Sequence, residues 1–170
     1  MKLGAKIFGA LSGILLLYLL VGLILPGTWE AEVETTLSAP PEAVFPYLSQ
    51  IDRWLEWNPM PESGMEKVGP PSGAGAGLEW DDPQYGSGRM TILESQENGK
   101  VVYRVEVEGG RLQIRGILEL MPEGTGSRLR WTEQGDFGWN PLMGYAARGM
   151  AGSQGEAMRA SLDSLAARIR

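Results

Sequence analysis

The chain contains neither cysteine nor histidine. Without cysteine there is no disulfide, no thiolate nucleophile and no thiolate zinc site. Without histidine there is no Ser-His-Asp triad and no imidazole acid or base. A carboxylate-only metal site would remain, but no D-x-D-x-D-G loop is present. No catalytic motif, metal site or cofactor is therefore expected. Basic residues are also scarce, fifteen against twenty-one acidic ones. Every Asp and Glu lies after Thr28, where only thirteen Lys and Arg accompany them, a net charge of −8. Phosphate binding needs clustered Lys and Arg, so nucleic acid is excluded as a partner, and flat adhesion to anionic lipid is disfavoured.

Charge is missing altogether from residues 7–25, IFGALSGILLLYLLVGLIL. At about 1.5 Å per residue this run spans roughly 28 Å, one hydrocarbon core. Lipid offers the backbone no hydrogen-bond partners, so such a segment is stable there only as a helix. An anchor with Ile7, Leu15, Leu20 and Leu25 on its lipid-facing surface is expected. Lys2 and Lys6 precede it, and Glu30, Glu32 and Glu34 follow. This asymmetry implies a cytoplasmic N-terminus, an extracytoplasmic domain at an inner (plasma) membrane, and Trp29 as anchor at the far interface. The rival reading is a cleaved signal peptide. The run is longer than the roughly 7–15 residues usual for one and ends without an A-x-A site. Gly9 and Gly13 form a G-x-x-x-G that could pair two such helices weakly as a homodimer.

The remaining residues, 29–170, have the size of one domain, with 1–28 as N-terminus and anchor. Trp29, Ala31, Val33, Thr35 and Leu37 alternate with glutamate, a strand with one wet face. Pro40-Pro41-Glu42 then opens a helix with Val44, Phe45, Leu48 and Ile51 on its apolar side, short or kinked at Pro46. A second short helix is expected from Ile51 to Trp57, stopped by Asn58-Pro59.

From Met65 to Phe137 six strands are expected: Met65 to Val68, Gly77 to Asp81, Ser87 to Glu97, Val101 to Glu108, Arg111 to Met121, and Arg128 to Phe137. Asn98-Gly99 and Gly109-Gly110 read as two-residue hairpin turns, and the short links imply an antiparallel meander. Met158, Leu162, Leu165 and Ile169 then lie on one face of a closing helix, with Ser153 and Glu156 as its capping box. Gly144, Gly149, Gly152 and Gly155 weaken the stretch before it, which reads as a hinge or close-packing surface.

The stretch WEAEVETTLSAPPEAVFPYLSQIDRWLEWNP, the string RLRWTEQGDF and the closing helix together resemble the SRPBCC superfamily, which includes START lipid-transfer domains and polyketide cyclase-like proteins. The resemblance covers Trp29 to Arg170. It implies an α+β helix-grip fold: a curved antiparallel sheet of about seven strands around a long C-terminal helix, enclosing a cavity for an apolar ligand.

Strand parity turns Leu78, Trp80, Met90, Ile92, Tyr103, Val105, Ile114, Leu118, Leu129 and Trp131 toward that helix, with Met143, Met150 and Met158 closing the other side. Aromatic and methionine walls suit a lipid, a prenyl chain or a polycyclic compound. Each of these residues could equally fill a core, and Trp54 and Trp57 are expected to pack the short helices. Gly116, on the inward parity, leaves space for a cavity or close helix approach. Glu133 shares the inward parity, with Tyr103 as candidate partner, and would be a polar anchor for ligand or an acid/base group. The expected function is a membrane-anchored binding module. The alternatives are a cyclase, aromatase or hydratase using Glu133 and Tyr103, and an interaction domain with a collapsed cavity.

Overall fold

Alternation of apolar and charged residues builds seven strands into one antiparallel sheet, described by a computed structural model over residues 2–58, 60, 64–84, 86–138 and 140–169. Helix α1 (Lys2–Ile24) leads into β1 (Thr28–Leu37), followed by the short helices α2 (Pro41–Ser49) and α3 (Ile51–Trp57). Strands β2 (Met65–Val68), β3 (Gly77–Asp82), β4 (Gly86–Gln96), β5 (Lys100–Val107), β6 (Leu112–Glu123) and β7 (Gly126–Asp136) follow, and α4 (Met143–Arg168) closes the chain. The sheet order is β1-β7-β6-β5-β4-β3-β2. The meander is therefore sequential except that β1 pairs with β7, while α2 and α3 carry the chain to the opposite edge.

In β1 the predicted alternation is realised, with Trp29, Ala31, Val33 and Leu37 buried. On the outer face Glu30 accepts from Gln134 at 2.6 Å, Glu32 from Thr132 at 3.3 Å and Glu34 from Arg130 at 3.3 Å. Such exposed cross-strand pairs contribute at most about 1 kcal/mol each, so the burial opposite them carries the strand.

Three inward aromatics each face a glycine directly across the ladder: Trp29 opposite Gly135, Trp80 opposite Gly88, and Tyr103 opposite Gly116. A Cβ on any of these glycines would stand 2.0–2.2 Å from the facing ring. The rings lie down across the neighbouring strand, which only a residue without a side chain allows. Two expectations are corrected by this packing. The space above Gly116 belongs to the Tyr103 ring, and Trp29 is buried rather than free to sit at a membrane interface.

Several boundaries also differ from expectation. The β4–β5 connection has three residues, Glu97 to Gly99, with Asn98 at φ 54°. The β5–β6 connection has four, because Val107 pairs with Leu112 and Glu108, Gly109 and Gly110 all take positive φ in a single 3-10 turn. Helix α4 starts ten residues before the expected cap. Ser153 is interior to it, its Oγ donating back to the carbonyls of Met150 and Gly149. Glycines there cost about 1 kcal/mol each relative to alanine, yet packing overrides propensity. Gly144 lies against Leu25 of the α1–β1 link, and Ala147, Met158, Leu162 and Leu165 are buried. Helix α2 ends three residues after Pro46 and α3 ends at Trp57 with Asn58 as its cap; Pro59, the expected stop, lies outside the described residues.

Helix α1 contains one span, Lys6–Ile24, long and apolar enough to cross a membrane. Ile7, Leu15 and Leu20 are exposed on it, and Gly9 and Gly13 face open space. Leu25, expected as its last residue, lies beyond the helix end and packs on α4.

Candidate functional site

Between the concave face of the sheet and α4 lies a cavity of about 310 Å³. The sheet supplies Trp80, Met90, Tyr103, Val105, Val107, Ile114, Trp131 and Glu133. Trp54, Asn58 and Met60 close one side, and Gln154, Ala157, Met158 and Ser161 of α4 form the lid. The volume lies at the small end of ligand pockets. A hollow of about 630 Å³ elsewhere is lined mainly by charged and amide groups, Glu30, Arg104, Gln113, Arg115, Gln134 and Asp136 among them. Of these two, the smaller offers the apolar walls with a few convergent polar groups that ligand sites favour.

The walls are held by an aromatic cluster. Trp54 meets Tyr103 edge-on at 5.0 Å, Trp57 meets Trp131 edge-on at 5.5 Å, and the two α3 tryptophans are 5.2 Å apart. Trp57 Nε1 donates to the Tyr47 carbonyl at 2.9 Å. Edge-on aromatic pairs add about 0.5–1.5 kcal/mol each beyond their burial, so α3 is fixed to β5 and β7 by ring packing. Ser161 Oγ donates to Asn58 Oδ1 at 3.2 Å and ties α4 to the end of α3.

Polar groups of the cavity converge on Glu133. Tyr103, Gly116 and Glu133 form one row across β5, β6 and β7. The bare Gly116 lets the tyrosine reach over β6, and its hydroxyl donates to Glu133 Oε1. Trp131 Nε1 donates to the same hydroxyl at 2.8 Å, and Gln154 Nε2 donates to Glu133 Oε2 at 2.5 Å. Tyr103 and Gln154 thus both donate to the carboxylate, which is 5% exposed, and Trp131 supports it through the tyrosine. Burial pushes the Glu133 carboxyl above its usual range, against the two donors that lower it. Burial likewise drives the Tyr103 phenol well above its ordinary value, and the adjacent Glu133 charge adds to the rise.

The raised Glu133 value has a signed consequence. The unfolded carboxyl titrates near about 4.3 and the folded one higher, so the native state holds the proton more tightly. Stability is full below about 4.3 and falls as pH rises through the folded value. Glu133→Gln removes this loss. It should unfold later in urea than the unaltered chain at pH 7.5, with the difference vanishing at pH 4. A difference independent of pH would contradict a raised native value.

Of the residues expected at a ligand site, Trp80, Met90, Tyr103, Val105, Trp131 and Glu133 line this cavity. Ile92 and Leu118 do not. They are fully buried among core side chains, out of the cavity lining. Met143 and Met150 precede the lid by three and one helical turns on the same stripe as Gln154 and Met158, beyond the cavity's end. Met143 lines a separate groove at the start of α4, and Met150 packs on the core. Trp54 packs α3 as expected and also forms cavity wall. Gln154 was missed, although a polar residue one turn before Met158 on an apolar stripe is a legible signal for a buried partner.

A model of the family described as polyketide cyclase / dehydrase and lipid transport matches residues 28–170. Among solved structures, the Mll3558 protein of Rhizobium loti is similar at 23% identity and TM-score 0.60, covering 82% of this chain and 96% of that one. CalU16 of Micromonospora echinospora is similar at 18% identity and TM-score 0.60, over 83% of this chain and 74% of its own. The Aha1 dimer of Colwellia psychrerythraea is similar at 13% identity and TM-score 0.57, over 82% and 95%. At these identities the likeness is one of fold. Among proteins of curated function, none matches the chain.

Proposed function

This chain belongs to the polyketide cyclase / dehydrase and lipid transport family, and from that membership we propose that it is a membrane-anchored binding module for an apolar small molecule. The reading rests above all on the cavity of about 310 Å³, whose aromatic and methionine walls surround one internally bonded polar cluster. Apolar walls provide affinity through burial, and the Glu133 cluster orients a ligand hydroxyl or carbonyl. The volume favours a small polycycle or part of one prenyl or acyl chain over a whole phospholipid. In this reading residues 1–28 are a retained anchor with its N-terminus in the cytoplasm of a bacterium, and residues 29–170 face outward from the inner membrane. The support is the apolar span, the two lysines before it and the three glutamates after it.

The test uses the full chain purified from its membranes, extracted and examined by mass spectrometry. A bound apolar compound is expected, and Met90→Trp, which fills the cavity, should abolish it. No compound, or equal amounts in both proteins, would sink the binding reading. Protease added to spheroplasts should digest the domain; protection would put it in the cytoplasm. The Glu133–Tyr103 contact favours one further reading, a cyclase, aromatase or hydratase in which the raised carboxyl transfers a proton. Glu133→Gln that leaves the compound bound but chemically unprocessed would favour that enzyme.

A further inference from the structure

We propose that the groove at the start of α4 is the entrance through which an apolar molecule dissolved in the bilayer passes directly into the cavity, with α1 holding this edge of the domain at the membrane surface. The proposal rests on the binding reading above and adds the route and the source of the ligand.

Helix α1 is docked on the beginning of α4 rather than loosely tethered. The Tyr18 and Tyr145 rings stack at 4.3 Å and 4°, and Tyr145 Oη donates to the Tyr18 carbonyl at 2.8 Å. A Cβ on Gly22 would stand 2.0 Å from the Pro141 carbonyl oxygen, and one on Gly144 2.6 Å from Leu25 Cβ. The two backbones therefore touch, with bare glycine on one side of each contact. Tyr18 precedes the helix end by six residues, about 9 Å, so the first turn of α4 lies alongside the outer end of α1.

At that same place a groove of about 760 Å³ opens, with Val107, Leu112, Phe137 and Met143 in its walls and Glu108, Arg111 and Asn140 at its rim. Leu142, beside it, is 47% exposed. The groove adjoins the cavity along the sheet. Val107 and Leu112 are a cross-strand pair in its wall, and the next inward pair on the same two strands, Val105 and Ile114, lines the cavity. Val107 borders both spaces. Apolar side chains thus follow one another along the sheet from the edge where α1 docks to the polar cluster at Glu133, with Glu108, Arg111 and Asn140 at the mouth. A solute in the bilayer avoids water along this row, and its high local concentration speeds loading.

The test places the full chain in phosphatidylcholine vesicles containing an apolar phenyldiazirine photolabel and maps the labelled residues by mass spectrometry. Label is expected on both groove and cavity residues, at Met143 and Leu112 as well as Met90 and Met158. Leu112→Trp, which narrows the groove by volume, should lower early cavity labelling about fivefold while the unfolding midpoint stays close to that of the unaltered chain. A second change leaves the groove intact. About twelve Gly and Ser residues inserted after Leu25, combined with Gly22→Leu, whose side chain would collide with the Pro141 carbonyl and undo the docking, let the domain drift roughly 20 Å from the surface, and cavity labelling should slow similarly. Unchanged cavity labelling in both altered proteins would overturn the entrance while leaving the binding reading in place. No cavity label in the unaltered chain would instead count against binding itself.

Discussion

Gly116→Ala should destabilise the domain by about 3 kcal/mol, an unusual cost for one added methyl group. The new Cβ would meet Tyr103 at 2.0 Å from Cζ and 2.4 Å from Oη, so the ring must leave its place over β6. Overpacking of this kind costs about 1–3 kcal/mol. The displaced hydroxyl also abandons Glu133 and Trp131 Nε1, and each buried group left without a partner costs a further 1–3 kcal/mol or so before any relaxation. Urea unfolding of the full chain measures the sum. Gly149→Ala is the control, because that Cβ meets nothing within 4 Å inside α4 and should add up to about 1 kcal/mol of stability. The contact itself is isolated by repeating Gly116→Ala in a Tyr103→Ala background, where it should cost less than about 1 kcal/mol. An equal cost in both backgrounds would mean that strand geometry, not the tyrosine, requires the glycine.

That pairing also marks where sequence reasoning stops. Parity alone turns Tyr103, Gly116 and Glu133 inward, because a strand has period two and each falls on the apolar phase. Whether the gap at Gly116 is empty or filled depends on which residue stands beside it, and register is a property of two strands and the turn between them. The turns are less legible than the strands, because they depend on two or three dihedral angles rather than on a repeating pattern. Gly109-Gly110 suggests a two-residue hairpin, but Glu108 also takes positive φ and Arg111 joins the loop, lengthening it to four residues. Strand bodies, four to twelve residues long, were legible to within one or two residues.

Helix α4 failed in the opposite direction. Gly149 and Gly152 argue locally against a helix, yet both lie where no side chain is needed, while Gly144 permits the approach of Leu25. The docking of α1 on α4, and with it the groove at Met143, therefore could not be read from helical periodicity. Only the stripe Met158, Leu162, Leu165 was visible, and extending it backward by one turn would have found Gln154.

Trp131→Ala should cost about 3 kcal/mol, and Trp57→Ala about 5, although both rings are 2% exposed and belong to one edge-on pair. Trp57 does not line the cavity, and its indole N–H satisfies the Tyr47 carbonyl. Removing it leaves a closed void and an unpaired acceptor. Trp131 already borders open space, so its removal enlarges an existing cavity and forfeits fewer contacts. Its N–H is lost from the Tyr103 hydroxyl, which still donates to Glu133. The enlarged space connects to the site and matches an indole. Added indole at about ten times its Kd should return roughly 1.4 kcal/mol to the Trp131→Ala protein, by binding the folded state alone. Equal costs for the two substitutions and no indole response would identify Trp131 as ordinary core packing and remove it from the ligand wall.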